Sequence, residues 1–91
     1  MTDTNLTSFV PGYHLIPIEK GELGELSKIQ EELTELTDGF NQKSKILMAV
    51  ELADLYGAIE LFIEKHLPGL QMADIKQFSA ITRRAFDNGH R

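Results

Sequence analysis

The sequence predicts an all-α fold: a helical hairpin plus a third helix, with the bundle completed by oligomerisation. Three observations carry this prediction. Apolar residues recur at helical spacing in three segments, glycine-containing turns separate these segments, and a chain of 91 residues buries only a modest core by itself. We expect one helical domain over residues 19–91, preceded by an extended N-terminal arm over residues 1–18.

The N-terminal arm has no helical period and contains Pro11, Gly12 and Pro17, which favours extended structure with room for a short strand over residues 13–16. Its first eight residues are polar and lack the basic and apolar segments of a signal peptide. The chain has no cysteine, and acidic residues interrupt its longest apolar stretch, residues 46–63. These features indicate a cytoplasmic protein without a membrane span.

The first helix is predicted from about residue 21 to residue 37. Its apolar residues follow one another at steps of three or four, at Leu23, Leu26, Ile29, Leu33 and Leu36. Asp38 and Gly39 are expected to end it, because glycine readily adopts the left-handed conformation that follows many helices.

The second helix is expected to begin after an N-cap at Ser44 and to run to about His66, before a Pro-Gly turn. The third helix is expected from about Met72 to Asp87. Because the turn between the first two helices is short, these helices are predicted to run antiparallel.

The net charge of −5 is divided unevenly along the chain. Residues 1–70 hold 12 acids and 5 bases, a balance of −7, whereas residues 71–91 hold 2 acids and 4 bases, a balance of +2. An acidic body argues against binding a nucleic-acid polymer. A basic C-terminal segment can still contact a small anion, and an acidic centre can hold a cation.

Two carboxylates lie on an apolar side of the second helix. At about 100° per residue, Glu51 and Asp54 fall within an apolar arc, and a helix that is apolar on nearly all sides is a buried one. An unpaired buried charge costs several kcal/mol, so basic side chains, protonation or a metal ion must compensate. The only bases of this helix, Lys45 and Lys65, lie at its ends.

The first helix carries a second pair with the same spacing, Glu32 and Glu35, at the edge of its apolar stripe. Residues three apart share one helix face, so in an antiparallel hairpin the two pairs can meet as a four-carboxylate cluster. Such an all-oxygen site suits Mg²⁺, or alternatively Mn²⁺, rather than zinc. A solvated acidic face is the alternative interpretation of this pair. Solvation is also expected for three other glutamates, Glu22, Glu25 and Glu31.

Two motifs, EELTEL at residues 31–36 and ELADLY at residues 51–56, resemble the ExxE…ExxD signature of the MazG-like all-α nucleoside triphosphate pyrophosphohydrolases. The resemblance covers about residues 20–91, and short single-domain members of this family are frequent in bacteriophages. It implies Mg²⁺-dependent hydrolysis of a nucleoside triphosphate to the monophosphate and pyrophosphate. It also implies a metal-binding set of Glu32, Glu35, Glu51 and Asp54, with Glu35 as the candidate catalytic residue that holds the attacking water.

Basic residues of the third helix, Lys76, Arg83 and Arg84, are candidates for binding the substrate phosphates; the alternative is a solvated basic face. The chain lacks the extra helices of longer family members, so the base-recognition site is expected from the N-terminal arm or from a neighbouring subunit of a homodimer or homotetramer. The three histidines, His14, His66 and His90, are expected to be structural or exposed.

Two other functions remain open at the level of sequence. Phosphoribosyl-ATP pyrophosphohydrolase has a similar size, fold and motif, so the substrate distinguishes it from the first interpretation. A non-catalytic helical interaction protein, in which the acids set pairing specificity, is the alternative from another class. That alternative predicts no binding of Mg²⁺.

Overall fold

The computed structural model describes residues 14–89, and over that range the protein is all-α. Helix α1 spans Leu26–Asn41, α2 spans Lys45–His66 and α3 spans Met72–Asp87. No strand forms between residues 14 and 89, so the expected short strand is absent from residues 14–16. The predictions for residues 1–13 of the N-terminal arm lie outside the described residues.

Helices α1 and α2 pack along one another as an antiparallel hairpin. At the closed end of the hairpin, Gly39 of α1 lies against Leu47 of α2. At the open end, Glu25 immediately before α1 pairs with Lys65 and His66 at the end of α2. Helix α3 makes few contacts with either of the others. The α1–α2 hairpin is therefore the packed unit that positions the acidic side chains.

The prediction that Asp38 and Gly39 end the first helix is wrong. Helix α1 continues through both residues to Asn41, and the chain then reverses over residues 42–44, where Lys43 has a φ of 60°. A Cβ atom on Gly39 would lie 3.1 Å from Cγ of Leu47. The glycine therefore serves the close approach of α1 and α2, and Lys43 supplies the left-handed residue that the reversal requires.

The start of α1 also differs from the prediction, by about five residues. Residues 22–25 form a turn instead of helix, with the Glu25 N–H donating to the Glu22 carbonyl oxygen at 3.0 Å. Gly24 within this turn has a φ of 85°, which an L side chain rarely adopts. Apolar spacing alone did not reveal the turn, because Leu23 continues the helical period of the residues that follow.

The predicted bounds of the other two helices are confirmed. Ser44 is the N-cap of α2, where its Oγ accepts a hydrogen bond from the Leu47 N–H at 3.1 Å. Helix α3 is capped by its own third residue, because the Gln71 N–H donates to Oδ2 of Asp74 at 2.9 Å. Both helices therefore begin where a side-chain acceptor satisfies a free N–H group.

Few apolar side chains are buried. Between residues 14 and 89, the buried apolar side chains are Leu47, Ala58 and Ile63, and α3 contributes no buried residue. Helix α2 exposes large apolar side chains on several sides, at Ile46, Val50, Leu52, Tyr56 and Leu61. Across the described range, no helix has the combined length and hydropathy needed to span a bilayer.

Candidate metal centre

Four carboxylates converge at the middle of the hairpin, as predicted. Glu32 and Glu35 of α1 and Glu51 and Asp54 of α2 each offer one oxygen, and these four oxygens all lie within 4.8 Å of one another. Oxygen ligands around one small cation lie about 3–4 Å apart when each metal–oxygen bond is near 2.1 Å. The cluster can therefore hold a metal ion after only small side-chain adjustments.

Two of the clustered carboxylates are buried with an oxygen left unsatisfied. Glu51 is 2% exposed and Glu32 is 5% exposed. Within the described part of the chain, Oε1 of Glu51 and Oε1 of Glu32 have no hydrogen-bond partner. Leaving a buried charged oxygen unpaired is costly, and a bound cation would remove that cost. These two oxygens are the observation that distinguishes the cluster from an ordinary acidic face.

Asp54 departs from the prediction, because it is exposed rather than buried among apolar side chains. It lies at the rim of the cluster, beside an open depression that Glu32, Gly57 and Leu61 also line. Of the apolar residues one turn away on α2, Val50 is exposed and Ala58 is buried, so the apolar arc is covered only in part within one chain and leaves Asp54 exposed. The helical spacing correctly placed Asp54 on the same face of α2 as Glu51, but it could not show whether another element covers that face.

Lys28 is a basic neighbour of the cluster that comes from α1 rather than from α2. Its Nζ lies 3.1 Å from Oε1 of Glu31 and 3.3 Å from Oε2 of Glu32. The expectation that Glu31 is solvated is wrong, since Glu31 is 3% exposed and accepts a 2.7 Å hydrogen bond from the Gly21 N–H. Glu31 thus anchors the segment before α1, and Lys28 compensates one oxygen of each glutamate.

The acids of α1 have perturbed affinities for protons. Burial raises the pKa of Glu35 to about 7, and hydrogen bonds with the neighbouring carboxyl groups of Glu51 and Glu31 act in the same direction. Burial also raises the pKa of Glu32, together with the charge of Glu35, although Lys28 opposes the shift. In the absence of a cation, the cluster therefore retains a proton near neutral pH, most favourably on Glu35.

His14 is a residue of the site that the sequence did not reveal. Its Nε2 lies 3.1 Å from Oε2 of Glu51 and 3.6 Å from Oε1 of Glu35, and its Nδ1 lies 2.9 Å from Oδ2 of Asp38. Burial by itself would lower the pKa of His14, but the Asp38 hydrogen bond and the charges of Glu51 and Glu35 raise it. His14 is therefore half-buried and structural, which is one of the two expected alternatives, but its contact with the acidic cluster was not predicted. The arm has no periodicity from which its contact with α1 and α2 could be inferred.

Asp38, which was expected in a turn, is buried in the last turns of α1 and holds His14 in place. Its Oδ2 also accepts hydrogen bonds from the Leu15 N–H at 3.1 Å and from Nε2 of Gln42 at 2.9 Å. Burial would raise the pKa of Asp38, but these hydrogen bonds, that of His14 foremost, keep it below the ordinary value. Asp38 thus remains a carboxylate.

The structure does not join the basic residues of α3 to the acidic cluster. Lys76, Arg83 and Arg84 are exposed, and none of them forms an ion pair between residues 14 and 89. Lys76 lines a shallow depression between α2 and α3 together with Tyr56. Their predicted role in binding phosphates stays a prediction.

No protein-family model, curated protein or solved structure matches this chain. The resemblance to the MazG-like enzymes therefore depends on the two carboxylate motifs, their spacing and the all-α hairpin that carries them.

Proposed function

We propose that this protein is a Mg²⁺-dependent nucleoside triphosphate pyrophosphohydrolase, with Mn²⁺ as the alternative ion. The reaction adds water to a nucleoside triphosphate and yields the monophosphate and pyrophosphate. The observation that carries the proposal is the convergence of four carboxylates around the two unpartnered buried oxygens of Glu32 and Glu51. Oxygen-only ligands of this kind favour Mg²⁺, which binds triphosphates through their oxygens.

Each clustered residue has a role under this proposal. Glu32, Glu35, Glu51 and Asp54 would hold the cation, which would neutralise the phosphate charge when it is bound. Glu35 also holds the attacking water and accepts a proton from it. Asp54 lies at the exposed rim, where a triphosphate can approach from solvent.

The substrate phosphates need positive partners, and Lys28, the basic residue of the hairpin that lines the depression beside Asp54, already pairs with Glu31 and Glu32. Under the proposal, Lys76, Arg83 and Arg84 of α3 bind the phosphates, either after movement of α3 or from a second copy of the chain. The sparse contact between α3 and the hairpin supports both routes.

A second copy of the chain is proposed as the partner that completes the bundle. Burial of three apolar side chains between residues 14 and 89 is little for a folded domain, whereas α2 leaves five large apolar side chains exposed. Burying each such side chain contributes about 1.5–3 kcal/mol. A homodimer or homotetramer that packs α2 against α2 would cover them.

The test is release of pyrophosphate from a panel of nucleoside triphosphates, with and without Mg²⁺. We expect Mg²⁺-dependent turnover, reduced at least about a hundredfold by Glu51→Gln or Asp54→Asn. Glu64→Gln, an exposed acid on the same helix, should retain full activity. Full activity of both site variants would overturn the assignment of the site.

The same assay separates the remaining alternatives. Turnover of phosphoribosyl-ATP in place of the common nucleoside triphosphates would identify the histidine-pathway enzyme. A protein that neither turns over any nucleotide nor binds Mg²⁺ would be the non-catalytic interaction protein.

A further inference from the structure

The imidazole ring of His14 lies between the carboxylate of Asp38 on one side and those of Glu35 and Glu51 on the other. One ring nitrogen, Nδ1, faces the buried Asp38 at 2.9 Å, and the other, Nε2, faces Glu51 at 3.1 Å and Glu35 at 3.6 Å. Nε2 and one oxygen from each of Glu35 and Glu51 all lie within 4.8 Å of one another. The ring therefore reaches the acidic cluster beside Glu35 and Glu51.

Asp38 fixes which ring nitrogen can act as a ligand. An ionised carboxylate only accepts hydrogen bonds, so Nδ1 donates its hydrogen to Asp38. Two further hydrogen bonds to Oδ2, from the Leu15 N–H and from Gln42, hold this carboxylate in position. A histidine whose second nitrogen donates to a carboxylate is the usual arrangement for metal-binding histidines, because it sets the tautomer and orients the ring.

The other nitrogen, Nε2, faces carboxylate oxygens of Glu35 and Glu51, which attract a proton or a cation as Nε2 itself does. A lone pair on Nε2 would repel the oxygens of Glu35 and Glu51 at these distances, so either a proton or a cation must lie between them. Adjacent ligands of an octahedral ion are about 3 Å apart when metal–ligand bonds are near 2.1 Å. The two separations from Nε2 are close to that value. Oε1 of Glu51, which is buried and without a partner in the described range, offers one more ligand atom.

We propose that His14, Glu35 and Glu51 form a mixed nitrogen and oxygen cation site that binds Mn²⁺, or another first-row transition ion, in preference to Mg²⁺. The inference rests on the carboxylate site of the proposed function and extends it, because two ligands are shared and the third is a nitrogen. Imidazole is a common ligand of first-row ions such as Fe²⁺, Ni²⁺ and Zn²⁺, and Mn²⁺, the weakest-binding ion of that series, accepts it more readily than Mg²⁺, which strongly prefers oxygen. Asp38 is a positioning residue that acts through His14.

The experiment compares the binding of Mn²⁺ alone and Mg²⁺ alone to the full, untagged chain and four variants. In the unsubstituted protein, pulsed electron paramagnetic resonance of bound Mn²⁺ should show coupling to a directly bound ¹⁴N nucleus. His14→Gln should remove this coupling and weaken Mn²⁺ binding about tenfold or more, while changing Mg²⁺ binding much less. His66→Gln, which removes an exposed histidine that pairs with Glu25, should change neither quantity.

Asp38→Asn provides a second variant that keeps the histidine and the size of the side chain. It should weaken Mn²⁺ binding less than His14→Gln does and should retain the ¹⁴N coupling, because the ligand remains but its orientation is no longer fixed. Circular dichroism of each variant shows whether its helices have formed.

Two outcomes would overturn the inference and are distinguishable from failure of the proposed function. In the first outcome, the unsubstituted protein shows no ¹⁴N coupling, but Glu51→Gln still loses Mg²⁺ binding. A proton, not a cation, then lies between His14 and the carboxylates, and the carboxylate site of the proposed function is retained. Retention of both ions by Glu51→Gln overturns the carboxylate site, and the His14 site with it.

Discussion

Glu51 combines nearly complete burial, an unpartnered oxygen and a hydrogen bond with His14. Replacing it with glutamine keeps the shape of the side chain and removes the charge that the protein must otherwise compensate. In the presence of a chelator, we expect Glu51→Gln to unfold at the same temperature as the unsubstituted protein or at a higher one.

The same variant should no longer respond to the cation. At a Mg²⁺ concentration one hundred times the dissociation constant, binding to the folded state raises the free energy of unfolding by about 2.7 kcal/mol. Thermal melts with and without Mg²⁺ should show this rise for the unsubstituted protein and for Glu64→Gln, but not for Glu51→Gln. An undiminished rise in Glu51→Gln would contradict its role as a ligand.

Glu35 makes the affinity for the cation depend on pH. Its pKa of about 7 in the cation-free protein means that a proton occupies the carboxyl group at lower pH and competes with the ion. Affinity for Mg²⁺ should therefore increase as pH rises through about 7 and change less above it. Calorimetric titrations at pH 6, 7 and 8 measure this dependence. Glu35→Gln should bind more weakly and with a flatter pH profile, and an unchanged profile in this variant would assign the proton to another group.

The stability of the cation-free protein has the opposite dependence on pH. Because the pKa of Glu35 is higher in the folded state than its ordinary value of 4.5, the folded state binds the proton more tightly. The stability contributed by this group is therefore present at low pH and is lost as pH rises through about 7. Glu35→Gln, compared with the unsubstituted protein in a chelator, should gain relative stability between pH 5 and pH 8. Denaturant melts at these two values provide the test.

The residues of the site were predictable to different degrees. The four carboxylates could be inferred from the sequence, because spacing of three places each pair on one helix face and a short turn brings the pairs together. The sequence did not allow the same inference for three other residues, His14, Asp38 and Lys28. His14 comes from a segment without periodicity, and Asp38 was assigned to a turn. Lys28 approaches Glu32 through helical spacing that ordinary surface pairs also show.

Among the helices, α2 was predicted well because the capping Ser44 coincides with the start of its apolar period, and α3 because its apolar period follows a Pro-Gly turn. The ends of α1 were predicted poorly. An Asp-Gly pair is compatible with a helix end and with a helix interior, and packing against α2 decides between them. The residues around Gly39 in the sequence do not reveal its contact with Leu47 of α2.

The close approach at Gly39 gives a test at the level of the helix pair. A larger side chain there meets Leu47, whose Cγ would lie 3.1 Å from the new Cβ. We expect Gly39→Val to lower the free energy of unfolding by about 1–3 kcal/mol, the usual cost of overpacking. Thr37→Val, at an exposed position of α1, controls for a β-branched residue in this helix. Equal stability of the two variants in denaturant melts would show that α1 and α2 do not approach closely there.

For the whole molecule, the large exposed apolar surface is the feature that supports association with a second copy of the chain. Helix α2 presents apolar side chains on several sides, but α1 covers only one of them and α3 makes few contacts with the hairpin. Within one chain, the prediction that α2 is a buried helix is therefore wrong on several of its sides, which the proposed assembly would cover. The exposure of Asp54 follows from the same incomplete coverage.

Assembly makes thermal stability depend on protein concentration, since subunits that associate only when folded stabilise one another by mass action. The melting temperature should rise with concentration, and sedimentation should show a dimer or tetramer.

Leu52 is 54% exposed in one chain, so a substitution there tests the proposed contact directly. Leu52→Glu places a charge on the proposed contact, so it should shift sedimentation towards the monomer and remove the concentration dependence. Gln77→Glu adds the same charge at an exposed polar position of α3 and should leave both quantities unchanged. If the unsubstituted protein sediments as a monomer at every concentration, α2 is not a contact between copies, and the substrate phosphates must be bound within one chain.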